Sequence, residues 1–120
     1  MGRNRASAKS AGAAFERLVA DTLAEHVDDR IDRRVKTGAA DKGDIANVRT
    51  PGNNRVVVEC KDTARLTLGT FVNEAETERV NDDAIAGVVV HKRKGKGQGL
   101  DQYVTMTVRD LVAILTEKRP

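Results

Sequence analysis

Arg55-Val56-Val57-Val58-Glu59-Cys60-Lys61 is the stretch whose reading decides the fold. An apolar, β-branched run of this length predicts a central strand. Side chains alternate across a strand, so Val57, Glu59 and Lys61 share one face and Val56, Val58 and Cys60 the other. A carboxylate and an ammonium at the end of a buried strand are costly unless paired or used. Fifteen residues upstream, Gly43-Asp44-Ile45 supplies a second carboxylate. Between them, Thr50-Pro51-Gly52-Asn53-Asn54 is a strong turn signal. It predicts an antiparallel hairpin of a strand over 43–49 with the strand over 55–61, which sets Asp44 beside Glu59. Two carboxylates so placed suit a hard divalent cation such as Mg²⁺, and the pattern reads as a metal-dependent phosphodiester-cleaving site. The plain alternative for Glu59 and Lys61 is a same-face salt bridge at a strand end.

Outward from that hairpin, the periodicity predicts a helix over 11–27 with Phe15, Leu18, Val19, Thr22, Leu23 and Val27 facing the core and Ser10 as N-cap. A basic first strand is expected over 30–36, with Ile31, Arg33 and Val35 on one face, then a loop over 37–42. Beyond the Glu59 strand, a second helix is expected over 69–83, with Phe71, Val72, Ala75 and Val80 apolar. In it, Glu74 and Glu78 share a face at i,i+4 and repel unless a cation intervenes. Residues 84–90 read as an apolar central strand and 91–99 as a mobile basic loop. A fifth strand is expected over 103–107. The closing helix, over 108–118, is expected to turn Val108, Leu111, Val112 and Leu115 inward. The order α-β-β-β-α-β-β-α predicts an α/β fold with a mixed central β-sheet flanked by helices.

The chain has 120 residues, enough for one domain with one core. Residues 1–10 read as a flexible basic tail and 11–120 as a single domain. With Phe15, Phe71 and Tyr103 as the only aromatics, the core must come from Val, Ile, Leu and Ala. The net charge is only +3, but the basic residues cluster in the tail, at 30–36 and at 91–96, as suits a polyanion ligand. Cys60 is the one cysteine, so no internal disulfide is possible, and its place in an apolar strand makes it a small buried hydrophobe. No run approaches a membrane span and the N-terminus lacks the apolar middle of a signal peptide, so a soluble cytoplasmic protein is expected. Isolated His26 and His91 with a single Cys cannot make a zinc site. Gly95-Lys96-Gly97-Gln98-Gly99 lacks the Gly-Lys-Ser/Thr ending of a phosphate loop.

Glu16, Asp44 and Glu59-Cys60-Lys61, on this element order, resemble the PD-(D/E)xK nuclease superfamily. Within it, the chain is most similar to the small archaeal-type Holliday junction resolvases, a type also found in phages, over residues 11 to 115. Gly43 stands where the superfamily's name places Pro. The resemblance implies a restriction-endonuclease-like domain that acts in DNA recombination and repair as a homodimer. It implies that Asp44 and Glu59 ligate Mg²⁺ or Mn²⁺, helped by the Cys60 carbonyl, and that Lys61 orients or helps deprotonate the attacking water. On spacing alone Glu16 is a charge favoured near a helix N-terminus; the resemblance implies that it completes the site, directly or through water.

Arg33, Arg34, Lys36, Lys42, Lys92, Arg93 and Lys94 flank this site in sequence and are the expected contacts to DNA phosphates. With few aromatics to stack on bases, recognition of duplex arms or branch shape is expected. The expectation is therefore a Mg²⁺-dependent, structure-selective endonuclease cutting four-way junctions. The alternatives are another nuclease on the same scaffold (flap, nicking or restriction-like) and a non-catalytic DNA-binding module.

Overall fold

The computed structural model describes residues 4–36, 38 and 40–120. Arg3 of the basic tail, and Thr37 and Ala39 of the loop over 37–42, lie outside them. The elements follow the expected order. Helix α1 spans Arg5–His26, strand β1 Asp32–Arg33, β2 Ile45–Ala46 and β3 Val56–Lys61. Helix α2 spans Leu68–Asp82, β4 Ala86–His91, β5 Tyr103–Thr105 and α3 Val108–Thr116, with a 3₁₀ turn over Gly99–Asp101 before β5. The strands form one mixed sheet in the order β1-β2-β3-β4-β5, flanked by three helices. Only β3 and β4 are parallel, joined through α2; every other neighbour is antiparallel. Among the described residues no helix is long and apolar enough to cross a membrane.

Alternation on β3 and β4 sorts the core into two clusters. Val58, Cys60, Val88 and Val90 pack with Phe15, Val19 and Ala20 of α1, joined by Met106 and by Ile114 of α3. On the other face, Val89 packs with Phe71 and Ala75 of α2. Glu59 and Lys61 end the strand on this α2 face. Gly87 lets α2 come close: a Cβ there would lie 2.8 Å from the Ala75 carbonyl oxygen.

Several details depart from the sequence reading, among them an exposed Val27 and a second strand shortened to Ile45–Ala46. Helix α1 starts at Arg5, because the Asn4 side chain accepts from Ser7 N–H and caps an Ala-rich segment of high helix propensity. Ser10 is therefore interior to the helix. The first strand shrinks to Asp32–Arg33: Ile31 is buried but Val35 lies in solvent, and a short charged edge resists further pairing. Val80 is exposed. Helix α3 is rotated from its expected face, with Asp110 and Ala113 buried and Val108, Leu111 and Leu115 at 76%, 43% and 74% exposure. The cause is polar. Asp110 closes a capping box with Thr107, accepts from Gly87 N–H and pairs with Arg119 at 2.7 Å. Those bonds fix the helix's rotation more firmly than its apolar stripe does.

The loop after β4 is stitched together. The Gln102 side chain accepts from Arg93 N–H and donates to the Lys96 and Gln98 carbonyls. Gly87→Ala forces a methyl against the α2 backbone and is expected to lower unfolding free energy by about 1–3 kcal/mol. Urea denaturation checks this; a wild-type midpoint would mean that α2 can shift away at no cost.

Candidate active site

The hairpin brings Asp44 to Glu59. Ile45 pairs with Val58, Asp44 N–H donates to the Val58 carbonyl at 3.0 Å, and Arg34 N–H donates to the Asp44 carbonyl. The turn closes with Asn53 N–H on the Thr50 carbonyl, and Asn53 takes the left-handed conformation common in such loops. Glu117, just after α3, clasps this turn by accepting from the Thr50 hydroxyl, Gly52 N–H and Asn54 Nδ2. Before Asp44, Gly43 has φ +93°, a value that proline's ring forbids, and a Cβ there would lie 2.9 Å from Val57 Cγ1.

Asp44 is buried. Its Oδ2 accepts from Cys60 N–H at 2.8 Å and its Oδ1 from Lys36 Nζ at 2.6 Å. Since Cys60 N–H points toward Asp44, and a strand residue turns its N–H and C=O to the same neighbour, the Cys60 carbonyl faces Asp44 too. The Cys60 thiol packs in the α1 cluster, and burial pushes it well above its ordinary pKa. The Glu59 carboxyl lies within hydrogen-bonding reach of Asp44 on one side and of Glu78, from α2, on the other. Burial and the neighbouring Asp44 hold Glu59 far above the usual carboxylate range. Burial acts on Asp44 too, but hydrogen bonds with Glu59, Lys36 and Cys60 N–H outweigh it and keep Asp44 low. The two environments thus push the pair's pKa values apart, favouring a proton on Glu59 and disfavouring one on Asp44. Burial raises Glu78 to about 7.

Lys61 Nζ lies 2.6 Å from Glu74 Oε2 and 3.5 Å from Glu59 Oε2, and stands over the Phe71 ring. Burial disfavours its charge, but Glu74 and Glu59 outweigh that and raise its pKa, so Lys61 is an ammonium at neutral pH. In that form it can donate to a phosphate oxygen or to a water.

The remaining expected residues fall into two groups. Glu16 is half-buried and near enough to act electrostatically on Lys36 and Cys60, but its carboxylate pairs with Arg33 at 3.1 Å. Arg34 approaches buried Asp82, and Lys92 donates to the Arg93 and Lys96 carbonyls. Arg93 lies 4.1 Å over the Tyr103 ring. These cations shape the loops that carry them, whereas Lys42 and Lys94 are exposed. A cavity of about 300 Å³ is lined by Arg34, Lys36, Asp41 and Lys42, of which Lys36 pairs with Asp44. Another of about 410 Å³ lies between Ala8 and Gly12 of α1 and Cys60-Lys61-Asp62.

Two residues join the site that the sequence reading left outside it, Glu74 and Glu78. Their i,i+4 spacing on the helix after Glu59-Cys60-Lys61 was the signal. Among the described residues no three His, Cys, Asp or Glu side chains are gathered to hold a metal ion. The donor set is nevertheless all hard oxygen, and Glu59 Oε1 and Glu78 Oε1 are buried with no hydrogen-bond partner. Such orphaned atoms fit a hydrated Mg²⁺ or Mn²⁺, which keeps several waters and needs only one or two carboxylates.

A pH prediction follows from Glu78. A carboxyl whose pKa is raised on folding stabilises the fold while protonated, so its contribution is full below about pH 4.5 and is lost as pH rises through about 7. In EDTA the melting temperature should therefore fall from pH 5 to pH 8, with Glu59 extending the decline upward. Thermal unfolding across that range checks it, and a flat or rising profile contradicts it. Comparison with protein-family models, curated proteins and solved structures finds no match to this chain.

Proposed function

We propose that the chain is a Mg²⁺- or Mn²⁺-dependent structure-selective endodeoxyribonuclease with a restriction-endonuclease-like fold, a Holliday junction resolvase acting as a cytoplasmic homodimer. One observation carries the reading: Asp44 and Glu59, from neighbouring strands, lie within hydrogen-bonding reach of each other, with the Lys61 ammonium on the same strand. An acid pair that cannot hold two charges unaided, beside a cation that cannot neutralise both, is suited to a divalent metal.

Asp44 and Glu59 would hold the metal, with the Cys60 carbonyl turned to the same side. When bound, Mg²⁺ supplies a more acidic water and neutralises charge on the phosphate. Lys61, held in place by Glu74, would donate to a non-bridging phosphate oxygen and stabilise the charge that builds there. Glu16 and Arg33 act as a pair at the mouth of the site, where Arg33 can exchange its carboxylate partner for a DNA phosphate. Lys42 and Lys94 add phosphate contacts along the duplex arms. Two symmetric cuts in a four-way junction require two copies of the site, which a C₂ dimer supplies. The exposed apolar row of Val108, Leu111 and Leu115 on α3 offers a surface for that contact.

Asp44→Asn and Glu59→Gln should each lower Mg²⁺-dependent junction cleavage by about 10³-fold or more while junction binding persists, since each removes charge that stabilises the transition state. A panel of four-way junction, flap, linear duplex and single strand is the assay. Cleavage by both variants sinks the site assignment, and equal cutting of junction and linear duplex sinks the resolvase reading. Lys42→Ala with Lys94→Ala should weaken binding and flatten the log–log salt slope by about two. An unchanged slope would place both lysines away from DNA.

A further inference from the structure

Glu78 belongs to no expected role. It sits in the third turn of α2, faces the sheet and is 4% exposed. Its side chain reaches Glu59, and its Oε1 and Glu59 Oε1 are both buried without a hydrogen-bond partner. Among the described residues no ion pair joins Glu78. The ammonium groups beside Asp44 and Glu59 have other partners: Lys36 Nζ donates to Asp44 Oδ1 and the Gly43 carbonyl, and Lys61 Nζ sits closer to Glu74 than to Glu59. A buried carboxylate pressed against another, with an open lone pair on each, is expensive unless a cation enters. A purely structural acid at this position would be expected to take a partner, as Asp110 does with Arg119 and Asp82 with Arg55.

We propose that Glu78 is a third carboxylate of the cation site, holding a hydrated divalent ion of the Mg²⁺ or Mn²⁺ class through its water shell while Asp44 and Glu59 bind the ion directly. This rests on the reading of Asp44 and Glu59 as the cation site. It accounts for an acid on α2, whereas Glu16 on α1 is satisfied by Arg33. The arrangement needs no gathering of three carboxylates around one point, because a Mg²⁺-type ion retains several waters and outer groups act by accepting from them. Glu78 then also fixes Glu59, since a shared ion converts their repulsion into a common attraction.

The test is Mn²⁺ binding by calorimetry on the full chain without DNA, with thermal unfolding in EDTA alongside. Glu78→Gln keeps the shape and removes the charge. It is expected to weaken Mn²⁺ binding about tenfold or more, the scale of outer-shell groups, while raising the melting temperature in EDTA at pH 8. Glu25→Gln, at an exposed position of α1, is expected to bind Mn²⁺ as the wild type does. A folded Glu78→Gln with wild-type Mn²⁺ affinity overturns the proposal and leaves the Asp44–Glu59 reading standing. A folded wild type that takes up no Mn²⁺ overturns both. If Glu78→Gln does not fold, Glu78→Ala, which leaves room for water, carries the same comparison.

Discussion

The hydrogen bond from Cys60 N–H to Asp44 Oδ2 is the constraint on which the site depends. It joins the residue just before β2 to the strand just past the last paired position of the hairpin. In doing so it takes the place of a ladder bond and keeps the two strands in register where their pairing ends. It also buries a carboxylate, and that burial sets the electrostatics of the site. Asp44 is held low because donors surround it, and Glu59 is pushed up by its burial and by Asp44 beside it. Glu78 inherits the same problem one step further on.

Cations are distributed around this chain of acids so that each acts at an end. Lys36 meets Asp44, Lys61 meets Glu74 and the flank of Glu59, and Arg33 meets Glu16. The middle carries no cation of its own. An apolar replacement of similar volume would often be as stable as a buried ionic group. Acids kept there instead leave Glu59 and Glu78 each with a buried oxygen that no group of the described residues satisfies.

Much of the fold was legible because strong local signals agreed with tertiary need. The Val-rich run of β3, the Pro51-Gly52 turn and the apolar β4 left little freedom, and they placed Asp44 beside Glu59. Where polar bonds override apolar periodicity, legibility ended. The rotation of α3 is set by Asp110 reaching Gly87 N–H and Arg119, a long-range demand that no helical period displays. The start of α1 hinged on Asn4, whose role as a cap shows only once Ser7 N–H is seen to need an acceptor. The expected DNA contacts Arg34, Lys92 and Arg93 were chosen by charge and by their place beside the site in sequence, and neither reveals the bonds each makes within its own surroundings. Glu78 was visible as an i,i+4 partner of Glu74, yet only the sheet's geometry shows that the pair splits, with one acid on Lys61 and the other on Glu59.

The clasp of Glu117 on the Thr50–Asn54 turn sets an order of events during synthesis. The turn is made early, but its three donors wait for an acceptor translated more than sixty residues later. The hairpin carrying Asp44 is therefore a locally favoured unit whose outer anchor is a contact of long sequence separation, the kind that forms late in folding.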